Sequence, residues 1–498
     1  LQENHVYFFL IYHFLYILRG TYDINRPSFV QMRGRHIEII GNLLLAAILI
    51  YQIAAQRSVF IDEANLIRNI YEKSWFQLLQ PLAYEQYCPP LYAWLVKGVT
   101  IVLGHCEAAY RIVSLCAAGL TIFSLRGILR KHTRPVISLS ISLLLITNPY
   151  MLRYFTECKQ YSMDVALTTL WLYLYHSSTK PTHSLIVLVL AIVSPWLSMA
   201  SVFVIAAVGL IDLYQRITHR GSMRELYYIP ISALSFGIYY WINLRHSIGL
   251  DYLEDVHAKY FVELLPTTMQ ALSHDGRLVL DWLAMSGNHT VVSMLCTMWF
   301  LLLGGRVMQE KSPRLLLTLA ALMGLLWVAC GMHLYLWRPR TLLFSQIVFY
   351  ICVGYSLIGM RDRWSWTRYM SIGCMMILLV ICQGRQPVWK AMEITDYKRA
   401  FAQMDQRDLP VYAAASAYPS VYYYLEIKKS YAWKIDLRHL APSELSEIER
   451  PSYVLRGADW PKELEVWNRA MNDLDGTSLL SDDAVDLWLI TNPVSEMD

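Results

Sequence analysis

Apolar stretches of fifteen to twenty-one residues, separated by short polar segments, recur from about residue 38 to residue 383. A helix that crosses a bilayer needs about 20 mostly apolar residues. The pattern therefore predicts eleven spans, at 38–56, 108–128, 135–149, 161–177, 183–198, 199–214, 226–244, 290–305, 314–333, 341–360 and 368–383. One further apolar run, PPLYAWLVKGVTIVLG (89–104), is short and carries Lys97 near its middle, which predicts a re-entrant or interfacial helix. After residue 384 the pattern changes. LPVYAAA, PSYVLRG and VDLWLIT alternate as strands do, and SVYYYLE and PKELEVWNRAM read as helices. The predicted class is an α-helical polytopic membrane protein (32–383) with a small C-terminal α/β domain (384–498).

Composition agrees with this class. The mean hydropathy is +0.32, and only 16% of residues are charged, against about 25% for a soluble domain. The nine cysteines are scattered, with no CxxC and no zinc spacing, and read as packing residues. The chain begins with Leu1 and its first methionine is Met32. Residues 7–18 are apolar but lack a basic flank and a cleavage site, whereas MRGRHIEIIGNLLLAAILIYQ reads as a basic start followed by a span. Residues 1–31 are expected to be a non-native or poorly ordered extension.

The net charge of +4 matters less than its placement. Basic clusters at 33–35, 125–134, 215–224, 304–314 and 360–368 all fall on one side of the eleven spans. By the positive-inside rule that side is cytoplasmic. The opposite, extracytoplasmic side then receives 57–107, the turn at 149–160, the loop 245–289, the turn at 334–340 and the C-terminal domain. A bacterial inner membrane is the expected location.

Candidate chemistry gathers on that side. FIDEANLIRN (60–69) puts Asp62 and Glu63 just after the first span. Asp62 reads equally as the N-cap of an amphipathic helix over 63–79, stapled by Ile61 and Leu66, and as a functional carboxylate. The two roles are compatible. YEQYCPPLY adds Tyr84, Glu85 and Gln86; RYFTECKQYSMD adds Arg153, Glu157, Lys159 and Tyr161; HLYLWRPR adds Arg338 and Arg340. Basic residues at helix ends commonly snorkel to headgroups. Two arginines retained on the side that positive-inside bias disfavours also suit phosphate oxygens.

In order, the sequence shows D-E after a first span, PPLY-x-W, G-x-x-E-x-x-x-R (104–111), N-P-x(7)-E-x-K-Q-Y (148–161) and R-P-R-x-L-L-F. This ordered set resembles the GT-C superfamily of membrane glycosyltransferases, which includes the protein O-mannosyltransferases and the lipid A aminoarabinose transferase. The resemblance covers about residues 38–383. It implies transfer of a sugar from a polyprenyl-phosphate carrier to a hydroxyl of a glycolipid, glycan or protein at the extracytoplasmic face, with inversion. It also implies that an acidic residue of the first outer loop acts as base or positions the acceptor. Here that is Asp62, with Glu63 beside it and Glu157 in reserve. Arg153, Lys159, Arg338 and Arg340 are the expected donor-phosphate ligands; Tyr84, Glu85, Gln86 and Tyr161 are the expected acceptor contacts. Relatives often carry His or Lys just before the Pro-Pro pair, where this chain has Cys88.

Elementary chemistry points the same way. A hydroxyl needs a proton acceptor to attack, and a lipid phosphate leaving group needs fixed cations. Walker and Rossmann fingerprints are absent from the sequence, and DLD (473–475) reads as a solvated turn. No cofactor is required on this reading, although a few relatives use a divalent cation; nucleic acid is not an expected partner. The rival classes are a transporter or flippase of lipid-linked sugars, favoured by mid-span charges and inverted repeats, and a non-catalytic membrane scaffold.

Overall fold

The structure is a computed structural model that describes residues 29–177, 185–219, 226–246, 257–287, 290–358, 365–392, 394–404, 409–429, 437–441, 444, 447–448, 450–457, 467, 476–481 and 485–490. Every one of the eleven expected spans coincides with a helix. In chain order these are α1 (Phe29–Ala54), α4 (Glu107–Arg130), the pair α5 (Pro135–Thr147) and α6 (Pro149–Phe155), α7 (Tyr161–Ser177), α8 (Leu185–Leu197), α9 (Ser201–His219), α10 (Tyr228–Ile242), α12 (Val291–Lys311), α13 (Pro313–Gly331), α14 (Ile347–Ile358) and α15 (Ser365–Arg385). Six of them are by themselves long and apolar enough to cross a membrane, and the α5–α6 pair makes a seventh if counted as one span. The rest are shorter apolar helices packed among these. Close approach is built in where it is needed. A Cβ on Gly304 of α12 would lie 2.3 Å from the Cys352 backbone of α14, so only glycine lets these two helices meet there.

The polar connections hold helices of their own. α2 (Ile61–Glu72) follows α1 directly, and α3 (Pro90–Leu103) is the expected short apolar helix. Lys97, odd in so apolar a segment, donates to the Ile70 and Lys73 carbonyls at 2.6 and 2.9 Å, satisfying the open C-terminal end of α2. The segment read as a loop over 245–289 contains α11 (Met269–Ala284), capped by Thr268. Its Leu272 and Leu280 are exposed while Leu278 and Trp282 are buried, an arrangement suited to the membrane interface.

Among the described residues the C-terminal part forms a five-stranded mixed sheet of order β2-β1-β3-β5-β4, from β1 (Val411–Ala414), β2 (Leu437–Leu440), β3 (Ser452–Gly457), β4 (Gly476–Ser481) and β5 (Val485–Ile490). Three of these strands, β1, β3 and β5, are the three alternating segments of the sequence. SVYYYLE is helical as expected, as α17 (Tyr418–Tyr422) continued by a π-turn over 423–427, and α16 (Tyr397–Gln403) precedes β1. The PKELEVWNRAM segment apart from Trp467, the DLD turn, residues 1–28 and 247–256 lie outside the described residues. One face of the sheet shares a core with α2 and α3, through Leu66, Ile67, Ile70, Tyr92, Tyr397, Phe401 and Tyr423. The C-terminal domain is thus seated on the first polar connection.

Candidate functional site

The site grows from two breaks in helix. Asn148-Pro149 ends α5 and starts α6 with a 79° bend. Proline fits the first helical position and cannot continue the preceding helix. The Asn148 side chain accepts the Tyr150 and Met151 amides and donates to the Met285 carbonyl at 2.7 Å. The short α6 and the turn after it carry Arg153, Glu157 and Lys159. The second break is the Arg338–Leu342 turn, where Arg338 accepts the Thr341 and Leu342 amides. α11 fixes its flanks: Trp337 donates to the Leu278 carbonyl at 2.9 Å, and Trp282 donates to Ser345 at 2.7 Å.

Asp62 and Glu63 occupy the second and third positions of α2, whose N-cap is Phe60 with no side-chain cap. The expectation that Asp62 caps a helix over 63–79 is corrected on both counts. The helix runs 61–72, and Asp62 lies inside its first turn, where the helix dipole still favours its ionised form. Neighbours on a helix point about 100° apart, and the two carboxylates go separate ways.

Glu63 points inward. It makes a two-pronged pair with Arg111, Nε to Oε1 at 2.8 Å and Nη2 to Oε2 at 2.7 Å, and it accepts the Cys158 amide at 2.8 Å. The two side chains are 1% and 0% exposed. Burial pushes the Glu63 carboxyl up, but Arg111, Arg57 and the Cys158 amide outweigh it and hold it below the ordinary glutamate range. Arg57, also buried, donates to the Met392 and Thr156 carbonyls at 3.1 and 2.7 Å. Ser114 donates to the Glu157 carbonyl at 2.6 Å. Arg57, Glu63, Arg111 and Ser114 thus form a platform that grips the backbone of the 156–159 turn.

Asp62 points the other way, into a half-open basic cluster. Its Oδ2 accepts Arg340 Nη1 at 2.7 Å, with side-chain exposures of 32% and 28%. Burial pushes its carboxyl up; the charges of Lys159, Arg340, Arg153 and Arg338 outweigh this and hold it below the ordinary aspartate range. Lys159 is buried and donates to Gln86 at 2.6 Å. Arg153 donates to Glu157 at 2.9 Å and lies over the rings of Phe60 and Tyr154. Arg338 stacks on Tyr260, 5.1 Å from its centroid, and makes no ion pair among the described residues. Tyr161 meets Tyr154 edge-on at 5.0 Å. Among the described residues four cations face two carboxylates, Asp62 and Glu157, an excess of two positive charges that suits an anion.

Eight of the eleven residues named from sequence therefore gather: Asp62, Glu157, Arg153, Lys159, Arg338, Arg340, Gln86 and Tyr161. Three do not. Glu63 belongs to the platform. Tyr84 and Glu85 have left-handed φ of +61° and +53°, and Tyr84 turns to Glu72, its hydroxyl 2.9 Å from Oε2, against the face of Arg68. Cys88 is buried in the core beneath the loop. Sequence reading passed over Arg57, Arg111 and Glu107 as site residues. Arg57 was detectable as another basic residue on the disfavoured side of the first span. Glu107 is the buried anchor of the C-terminal domain, paired with Lys398 at 2.9 Å and Lys428 at 2.8 Å. Among the described residues no group of three or more His, Cys, Asp or Glu side chains is placed to hold a metal ion.

No protein-family model and no curated protein matches the chain. Solved structures do. ArnT from Cupriavidus metallidurans in the apo state aligns with a TM-score of 0.54 at 11% identity, over 91% of this chain and 98% of that one. The same protein bound to undecaprenyl phosphate aligns with a TM-score of 0.52 at 11% identity, over the same shares of the two chains. ArnT is the lipid A aminoarabinose transferase, of GT-C fold. The chain has that fold: a polytopic helical membrane body with a small C-terminal sheet.

Proposed function

We propose that the chain is a membrane glycosyltransferase that moves a sugar from a polyprenyl-phosphate carrier to a hydroxyl acceptor at the extracytoplasmic face of a bacterial inner membrane. The observation that carries this reading is the cluster around Asp62, a carboxylate about a third exposed that with Glu157 faces four cations, leaving two positive charges in excess among the described residues. It lies at the ends of membrane helices, in a fold shared with a protein whose solved structure holds undecaprenyl phosphate.

In this mechanism Arg340, Lys159, Arg338 and Arg153 hold the donor phosphate, the planar guanidinium groups by paired hydrogen bonds. The acceptor hydroxyl attacks the anomeric carbon from the face opposite the phosphate. The bond between that carbon and the phosphate oxygen breaks, and its electron pair leaves on the lipid phosphate, where the cations stabilise it. Asp62 takes the hydroxyl proton. Inversion follows from the single displacement. Glu157, tied to Arg153, fixes the direction of that guanidinium.

The test is transfer in detergent from a panel of undecaprenyl-phosphate-linked sugars to a membrane glycolipid extract, with release of undecaprenyl phosphate as the readout. Release by the parent and its loss in Asp62→Asn and Arg340→Ala are expected. A parent that moves labelled lipid between leaflets of a vesicle but releases no undecaprenyl phosphate from any donor would make the protein a transporter instead.

A further inference from the structure

A second charged recess lies at the far end of α4. From Arg111 in the platform to Arg126 is about 22 Å along the helix at 1.5 Å per residue. There a cavity of about 690 Å³ opens between α1, α4 and α7, lined by Asn42, Gly119, Phe123, Arg126, Arg130 and Lys131 among others. Its outer wall, at exposed Gly119 and Phe123, is apolar, and its basic groups run from buried Arg126 to exposed Arg130 and Lys131. Gly119 leaves the wall bare: a Cβ there would meet no atom within 4 Å. Phe123, 61% exposed, stands at the lipid-facing side and meets Tyr173 edge-on at 5.7 Å. The recess therefore opens sideways toward acyl chains as well as outward to the headgroup layer.

The charge is unbalanced. Glu38 is the only carboxylate paired in the cluster among the described residues, bridging Arg126 at 2.5 Å and also holding Arg130. Among the described residues Lys131 donates to the His176 carbonyl, at 3.2 Å. Among the described residues three cations against one carboxylate leave two positive charges in excess. Arg126 is 7% exposed; two of its nitrogens are taken by Glu38 and Asn42, while its buried Nε has no hydrogen-bond partner among the described residues. A buried arginine in a spanning helix is costly unless something completes its surroundings.

We propose that this recess is a binding site for an anionic phospholipid of the leaflet opposite the Asp62 site. The phosphodiester sits among Arg126, Arg130 and Lys131, and one acyl chain lies along Gly119 and Phe123. Basic recesses between membrane helices select anionic headgroups in this way, and the exposed apolar wall at Gly119 and Phe123 selects a lipid over a free phosphate. The site is separate from the transfer chemistry and does not depend on it.

The test uses the full chain in phosphatidylcholine nanodiscs with and without dioleoylphosphatidylglycerol, followed by native mass spectrometry after gentle release. The parent should retain one phosphatidylglycerol and gain thermal stability from it. Gly119→Leu fills the bare wall without touching a charge, and Arg130→Gln removes a charge without filling it. Each should weaken retention roughly tenfold or more, the scale of a lost charge-assisted contact or of an occupied tail position, while melting like the parent in phosphatidylcholine. Equal retention by both variants and the parent overturns the proposal. So does equal retention of phosphatidylcholine, or equal protection of the parent by inorganic phosphate alone. If Arg130→Gln fails to accumulate, the Gly119→Leu comparison decides.

Discussion

Adjacent carboxylates with opposite surroundings should fail in opposite ways. Glu63→Gln keeps size and one acceptor oxygen but removes the charge that balances buried Arg111 and Arg57. Breaking one partner of a buried pair costs about 3–5 kcal/mol; the retained acceptor puts Glu63→Gln near the lower figure. At 1.4 kcal/mol per tenfold, about 3 kcal/mol shifts the local opening equilibrium by roughly two orders of magnitude. The platform contains its own reporter. Cys158 is fully buried, its amide is one of the groups Glu63 holds, and burial together with the Glu63 charge pushes its thiol up, so it is shielded from reagents that need thiolate. Maleimide labelling read by peptide mass spectrometry should find Cys158 unreactive in the parent and reactive in Glu63→Gln, with a lower melting temperature in detergent. In Asp62→Asn the same thiol should stay protected. The Asp62–Arg340 pair is about a third exposed, so its loss costs at most about 1 kcal/mol, but transfer should fall by roughly 10²–10⁴-fold. If Glu63→Gln keeps Cys158 protected and melts like the parent yet cannot transfer sugar, the division of labour argued from the geometry is wrong.

Arg340→Ala should weaken use of a polyprenyl-phosphate donor by about ten- to hundredfold, from the loss of a charge-assisted contact of about 1.5–3 kcal/mol, and Arg340→Lys should restore only part of it; unchanged donor kinetics in Arg340→Ala would return that residue to headgroup anchoring. The Glu63 carboxyl is held below its ordinary value of 4.5, so its contribution to stability is complete above pH 4.5 and is lost as pH falls through the depressed folded value; melting curves of the parent should lose stability in that acid window, and Glu63→Gln should lack that component. Replacing both Lys398 and Lys428 by alanine leaves Glu107 buried without a cation and should loosen the C-terminal domain, seen as faster proteolysis after residue 392, while a single replacement should do much less.

The spans were legible because a membrane helix must be apolar over most of its length, and that constraint is written locally. The strands β1, β3 and β5 were legible for the same kind of reason, since alternation is local. The helix over 269–284 was hidden because an interfacial helix needs only one apolar stripe, interrupted here by Ser273, His274, Asp275 and Arg277. The basic cluster could be listed from the sequence, since each member lies near a helix end on the side that the positive-inside reading expects to be outside. The platform could not. Glu63 meets Arg111 forty-eight positions later, and nothing in either segment says that α2 turns Glu63, and not Asp62, toward α4. Tyr84 shows the converse: Gln86, two residues on, lies at the site, but left-handed backbone at Tyr84 and Glu85 goes with a Tyr84 ring turned away to Arg68 and Glu72.

An aspartate bonded to an arginine is at first sight a poor base, because the pairing that keeps it ionised also weakens its hold on a proton. On the proposed mechanism the donor changes this balance. Lys159, Arg340, Arg153 and Arg338 all act on Asp62, and a lipid phosphate bound among them would bring negative charge to the same cations. It competes for Arg340 and opposes their field at Asp62, and a nearby like charge raises a carboxyl's proton affinity. Asp62 should therefore be a weak base while the site is empty and a stronger one once donor is bound, so that proton transfer is favoured only when there is a sugar to transfer. The acid limb of kcat/KM reports the free enzyme and that of kcat reports the complex. Steady-state transfer measured across pH should place the kcat limb at higher pH than the kcat/KM limb, and in Arg340→Lys, where a charge remains, the order should persist. Coincident limbs, or a kcat limb at lower pH, would mean that the donor phosphate does not share its cations with Asp62, and the proposed arrangement of base and phosphate would fail together.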